Sequence, residues 1–173
     1  MLELQPAADT EANLDLMIKT VKAMLEGETD LIAALANVSA VLNHYLPEIN
    51  WVGFYLLKGK ELVLGPFQGL PACARIGEGK GVCGKAVQDQ RPVIVADVHS
   101  FPGHIACDSA SASEIVIPLF RAGRVFGVLD VDSPRLNRFT ALEADYLGRA
   151  GGLINAFLET ANSASYEAVS YEA

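Results

Sequence analysis

The sequence lacks several features that mark particular classes of protein. None of its apolar runs approaches the roughly 20 residues that a membrane-spanning helix needs. Basic residues are scarce, with 13 Lys and Arg against 21 Asp and Glu, and the net charge of −8 argues against nonspecific binding to nucleic acid or to an anionic membrane. The first 16 residues have no basic start followed by an apolar stretch, so we expect no signal peptide and a cytoplasmic location.

Cysteine is also rare. The chain has three cysteines, an odd number that does not suit a secreted disulfide scaffold, and no C-x-x-C pair provides the usual zinc or thioredoxin-like motif. In a reducing compartment, Cys73, Cys83 and Cys107 are therefore free thiols, metal ligands or catalytic groups. A lone cysteine is usually a small buried hydrophobe, but these three lie in irregular, glycine-containing sequence, which favours redox chemistry.

What the chain contains is sufficient for one globular domain. Its 173 residues are 51 % apolar and 20 % charged, which is typical of a folded domain. Apolar residues recur at helical spacing over 11–25 and 31–46. The Thr-x-x-Glu pattern at Thr140 predicts a further helix to about Thr160, and one or two helical turns are expected around 85–87.

Strand-like patterns predict two hairpins, over 51–67 and 114–132, with a short strand at 92–95 between them. The order of the elements predicts an α+β domain in which the terminal helices pack on one face of a central antiparallel sheet. An irregular active-site segment is expected on the other face. We expect residues 1–162 to form this single domain and 163–173 to be a low-complexity tail.

Two carboxylates share one face of the last strand. Because side chains alternate along a strand, Asp130 and Asp132 point to the same side, and Glu114 at the start of the partner strand can join them. Buried together, they would need a cation, strong hydrogen bonds or protons. Two interpretations stay open: a solvated strand end, or an anionic pocket for an ammonium group or a metal ion.

Trp51 and Tyr55, four residues apart in the first strand, also share a face. Their rings are either part of the core or the wall of a small pocket beside the carboxylates. A metal site receives little support, because His104, Cys107, another cysteine and Asp130 lack the chelating spacing of structural zinc. We therefore predict no bound metal.

Six sequence blocks between Asn50 and Ser133 make the chain recognisable: NWVGFYLL, LVLGPFQG, GKGVCG, DVHSFPGHIACDS, SEIVIPL and GVLDVDS. Together they resemble the free methionine-R-sulfoxide reductases, which are stand-alone enzymes with the GAF fold. The preceding segment TDLIAALANVSAVLNHYLPEIN fits as well, and the tail after Ala161 lies outside the resemblance. Ordinary GAF sensor domains share the fold but lack the three cysteines combined with the GHIACD block.

The resemblance implies a GAF-like domain and a role for each cysteine. Cys107 matches the nucleophile, and Cys73 matches the resolving cysteine that forms a disulfide with it. Cys83 matches a third cysteine that can assist disulfide exchange.

The resemblance also implies a substrate pocket. Glu114, Asp130 and Asp132 match the carboxylates that line it, and Trp51 and Tyr55 match its aromatic wall.

The implied reaction is the reduction of free L-methionine-(R)-S-oxide to methionine through a cysteine sulfenic acid and an intramolecular disulfide. Thioredoxin, supplied with electrons by NADPH-dependent thioredoxin reductase, is the implied external reductant. The resemblance implies no bound cofactor and is compatible with a homodimer. The alternative function is a GAF module that binds a ligand, or senses redox state through its thiols, without turnover.

Overall fold

The computed structural model describes residues 5–77, 79–103, 105 and 108–161, and its strands form one six-stranded antiparallel sheet. The predicted tail, 163–173, lies outside the described residues. The strands are β1 (Trp51–Lys58), β2 (Glu61–Gly69), β3 (Arg75–Gly77), β4 (Val93–Val95), β5 (Ser113–Arg121) and β6 (Arg124–Ser133), in the spatial order β3-β2-β1-β6-β5-β4. The helices are α1 (Thr10–Leu25), α2 (Leu31–Tyr45), α3 (Gly81–Asp89) and α4 (Ala141–Thr160), with a short 3-10 helix at Val98–Ser100.

The three long helices begin at side-chain caps. Asp9 and Asp30 each accept a hydrogen bond from the backbone three residues later, at 2.9 and 2.8 Å. The capping box predicted at Thr140 is present, with Glu143 reaching back to the Thr140 backbone. No helix among the described residues combines the length and apolar character that crossing a membrane requires.

One face of the sheet carries the larger core. Helices α1, α2 and α4 pack together over it and cover the alternate residues of the central strands β1, β5 and β6. Val52, Phe54 and Leu56 of β1 point to this side. The predicted α+β arrangement, with the terminal helices on one face of an antiparallel sheet, is confirmed.

The opposite face carries a smaller core, and the candidate functional residues lie there. Helix α3 packs over β5 and β6 on this side and is longer than the one or two turns expected from sequence. Ile105, Asp108 and Ser111, from the segment before β5, line a cavity together with Val82 and Cys83 of this helix. The alternation of side chains therefore separates the scaffold on one face of the sheet from the polar cluster on the other.

Candidate active site

The strand register brings the three predicted carboxylates together. Glu114 of β5 pairs with Asp132 of β6, and Asp132 pairs on its other side with Trp51 of β1. Asp130 lies two residues before Asp132 and therefore points to the same face. Glu114 and Asp130 are buried, with 5 % and 6 % of their surface exposed, so the interpretation of a solvated strand end is wrong for these two residues.

Helix α3 adds a thiol to this cluster. Cys83 is buried in its first turn and donates a hydrogen bond to Asp130 Oδ2 over 3.3 Å, while Glu114 Oε1 lies 3.9 Å from the same sulfur. Helix α3 packs closely against the turn that precedes it because residue 84 is glycine. A Cβ on Gly84 would lie 2.8 Å from the carbonyl carbon of Gly79, in the turn that precedes the helix.

Burial and mutual repulsion distribute the protons of the cluster unequally. Burial, followed by repulsion from Asp130 and Asp132, raises the pKa of Glu114 well above its usual range. Burial and then repulsion from Asp130 raise the pKa of Asp132 in the same way. Burial raises the pKa of Asp130 only to about 6, because hydrogen bonds from Cys83 and Glu114 favour its charged form. Asp130 is therefore the carboxyl of the cluster that ionises most readily, while burial and repulsion favour the protonated forms of Glu114 and Asp132.

The cysteines are in different states. Cys83 is a free, buried thiol whose pKa is raised well above its usual value by burial and by the neighbouring Asp130. Cys73 is disulfide-bonded. Its backbone carbonyl accepts a hydrogen bond of 3.0 Å from the Tyr55 hydroxyl, which anchors the segment between β2 and β3 to the sheet. Cys107, expected to be the nucleophile, lies outside the described residues.

The aromatic residues form a stack next to the carboxylates. Trp51 stacks against Tyr55 with ring centroids 5.8 Å apart, and against Phe67 at 5.3 Å. Only glycine fits at Gly53, because a Cβ there would lie 2.7 Å from Trp51 Cη2. Trp51 and Tyr55 are almost fully buried in the smaller core, beside the cavity and not on its wall.

A small cavity lies over the carboxylates. Its volume is about 30 Å³, well below the roughly 300–1,000 Å³ of typical ligand pockets. Apolar side chains from β3, α3 and the segment before β5 form part of its wall. Its lining residues are Ile76, Gly81, Val82, Cys83, Ile105, Asp108, Ser111, Glu114, Asp130 and Asp132.

Sequence reasoning missed a polar network at the rim of this cavity. The Asn50 amide donates to Asp108 Oδ2 at 2.8 Å and to Ser111 Oγ at 3.0 Å, and Ser111 in turn hydrogen-bonds Asp132. The network ties the loop before β5 to the start of β1. Ser111 belongs to a run of small residues that does not by itself indicate a site. Asn50, a polar residue directly before an apolar strand, could have indicated the network.

The cluster contains potential metal ligands. One ligand atom from each of Cys83, Glu114 and Asp130 lies within 4.8 Å of the other two. This set differs from the one considered from sequence, in which His104 and Cys107 lie outside the described residues.

Comparisons with known proteins identify the family of the chain. Residues 29–159 match the family described as GAF domain. The chain is 56 % identical over 118 residues to the free methionine-R-sulfoxide reductase of Escherichia coli, covering 68 % of this chain and 72 % of that protein. It is 37 % identical over 153 residues to the enzyme of the same name from Saccharomyces cerevisiae, covering 84 % of this chain and 85 % of that protein.

A solved structure is similar along nearly its whole length. It is the free methionine-R-sulfoxide reductase of Neisseria meningitidis in complex with its substrate. The TM-score is 0.90 at 44 % identity, and the match covers 95 % of this chain and 99 % of that one.

Proposed function

Because the chain belongs to the free methionine-R-sulfoxide reductase family of GAF domains, we propose that it reduces free L-methionine-(R)-S-oxide to methionine. The observation that carries the proposal is the cluster of buried Glu114 and Asp130 and half-buried Asp132, beside the Cys83 thiol at one cavity. Such a cluster suits a small substrate that carries an ammonium group and undergoes thiol chemistry.

The carboxylates recognise the α-ammonium group of the free amino acid. Asp130 carries the charge of the cluster and has one buried oxygen, Oδ1, without a hydrogen-bond partner. A bound ammonium group supplies both the missing donor and the missing positive charge. Methionine sulfoxide within a peptide has no such group, so its binding would leave the buried carboxylate unpaired, at a cost of about 1–3 kcal/mol or more. This difference explains a preference for the free amino acid.

Cys107 is the nucleophile in the proposed reaction. Its thiolate attacks the sulfoxide sulfur, and the oxygen is protonated and transferred to the cysteine sulfur. The net step oxidises Cys107 by two electrons to a sulfenic acid and reduces the sulfoxide by two electrons to the thioether. The proton comes from Glu114 or Asp132, the two carboxyls whose protonated forms are favoured by a raised pKa.

Cys73 resolves the sulfenic acid. Its thiol condenses with Cys107 to form a disulfide and release water. Two observations support Cys73 over Cys83 in this role: Cys73 is disulfide-bonded, and the Cys83 thiol is buried with a raised pKa. Thioredoxin, reduced by NADPH through thioredoxin reductase, reopens the disulfide and returns both thiols.

The substrate enters after this disulfide opens. The cavity in the disulfide-bonded structure, at about 30 Å³, is far smaller than a typical ligand pocket of about 300 Å³ or more, so it must widen to admit methionine sulfoxide. Ile105, Asp108 and Ser111 form the part of its wall that belongs to the loop before β5. Reduction releases this loop, so the cavity can widen over the carboxylates.

Single-turnover chemistry tests the proposal. Fully reduced protein, freed of reductant, is mixed with free L-methionine-(R)-S-oxide, and methionine and remaining thiols are counted. The wild type should form one methionine per chain and lose two thiols. Cys73→Ser should form the same methionine but no disulfide, and Cys107→Ser should form none. If the wild type binds the sulfoxide without producing methionine, the chain is a ligand-binding or redox-sensing module.

A further inference from the structure

We propose that Cys83, Glu114 and Asp130 form a binding site for a divalent cation that accepts a thiolate ligand, such as Zn²⁺ or Co²⁺. We further propose that this cation competes with the substrate for the cluster. The metal site stands on the geometry alone, whereas the competition rests on the proposed function.

The ligand spacing fits a tetrahedral ion. In such a site, with a metal–sulfur distance of about 2.3 Å and a metal–oxygen distance of about 2.0 Å, sulfur and oxygen ligands lie about 3.5 Å apart. The Cys83 sulfur lies 3.3 Å from Asp130 Oδ2 and 3.9 Å from Glu114 Oε1. An ion can therefore bind with shifts of a few tenths of an ångström in the side chains.

The electrostatics of the cluster also call for a cation. Asp130 Oδ1 is buried and has no hydrogen-bond partner, although the residue is only 6 % exposed. Among the ion pairs formed by the described residues, none involves Glu114, Asp130 or Asp132. A divalent ion placed between these carboxyl oxygens and the Cys83 sulfur would supply the positive charge and the partner that Asp130 Oδ1 lacks.

The ligand set indicates the class of metal. Ca²⁺ and Mg²⁺ prefer six or more oxygen ligands, which a cavity of about 30 Å³ beside a thiol does not supply. A thiolate with two carboxylates suits Zn²⁺ or Co²⁺. Asp132, on the same face two residues beyond Asp130, or a water molecule in the cavity can provide the fourth ligand.

Cobalt spectroscopy on a protein with Cys83 as its sole thiol tests the site. The variant Cys73→Ser/Cys107→Ser is titrated with Co²⁺, and we expect a thiolate-to-cobalt charge-transfer band in the near ultraviolet at one ion per chain. Adding Cys83→Ser should abolish the band. Adding Asp130→Asn removes a direct ligand and should weaken Co²⁺ binding by more than about tenfold, because even the outer partners of a ligand contribute about 10- to 100-fold. Glu61→Gln, an exposed carboxylate in β2, is the matched control and should leave the affinity unchanged.

Different results would overturn the metal site and the competition with the substrate. No cobalt band, with the circular dichroism of the fold intact, would overturn the metal site, and the same titration of the wild-type disulfide form guards against damage caused by the substitutions. Free L-methionine-(R)-S-oxide should lower the apparent Co²⁺ affinity of the same variant. A band that ignores the sulfoxide would support the metal site but overturn both the competition and our placement of the substrate ammonium.

Discussion

At the residue scale, the central feature is a set of buried acids whose protons are unequally shared. Asp130 accepts hydrogen bonds from Cys83 and Glu114 and ionises most readily, while a raised pKa favours the protonated forms of Glu114 and Asp132. One cluster can therefore attract an ammonium group and still keep a proton to donate. The division of roles follows from burial and contact distances and not from the chemical identity of the carboxyls.

Amide substitutions should separate these roles. Asp130→Asn removes the charge, and we expect KM for the free sulfoxide to rise about 10- to 100-fold, as for the loss of a hydrogen bond to a charged group. Either Glu114→Gln or Asp132→Asn should remove the proton donor and lower kcat by about 10²- to 10⁴-fold. Steady-state kinetics measure the split, with Glu61→Gln as a control. If all three changes affect KM alone, none of these carboxyls is the acid.

At the element scale, the position of helix α3 decides whether the site forms. Its first turn carries Cys83, and Gly84 in that turn packs directly against the backbone of Gly79. The helix has no side-chain cap at its start, so packing against this turn holds it in place.

Gly84→Ala should therefore damage the site. The new Cβ meets backbone at 2.8 Å, so α3 must shift away from the turn and carry Cys83 with it. We expect a loss of about 1–3 kcal/mol in the free energy of unfolding and reduced kcat/KM, measured by urea denaturation and by activity. Gly148→Ala in α4 is the matched control, because a Cβ there meets nothing within 4 Å. It should retain full activity and gain about 0.5–1 kcal/mol from better helix propensity. Equal behaviour of the two variants would contradict the importance of this contact.

The elements themselves were largely predictable from local pattern. Helical spacing predicted α1 and α2, a capping box predicted α4, and alternation predicted both hairpins, because each signal lies within a few residues. Strand β3 has only three residues, Arg75–Gly77, and carried no such signal. The full length of α3 was also missed, since its first turn is rich in glycine.

The candidate site was predictable only where strand geometry determines it. Alternation places Asp130 and Asp132 on one face, and the hairpin register brings Glu114 opposite Asp132. Contact between Cys83 and Asp130 joins residues 47 positions apart on a helix and a strand, and no local pattern encodes such a distance. The family resemblance implies the roles of the cysteines, but it does not describe the burial of the Cys83 thiol.

At the scale of the whole molecule, the residues of the larger core and the residues of the candidate site lie on opposite faces of the sheet. The larger core, under three long helices, holds the scaffold together, and the opposite face carries the cavity, Cys73, Cys83 and the acids. Short elements and irregular segments build that second face, so it can open when a disulfide is reduced without disturbing the scaffold. We therefore expect the protein to select a free amino acid by its ammonium group and its oxidised sulfur.

Thioredoxin-coupled NADPH consumption with three substrates tests both the proposed activity and its selectivity for the free amino acid. The substrates are free L-methionine-(R)-S-oxide, its S epimer and the N-acetylated R sulfoxide, each assayed with wild type and with Cys107→Ser. We expect the wild type to turn over the free R epimer alone, and Cys107→Ser to turn over none of the three substrates. Comparable turnover of the N-acetylated compound would contradict ammonium recognition by the acidic cluster. No turnover of any substrate, with Cys107 reduced and the fold intact, would contradict the proposed activity.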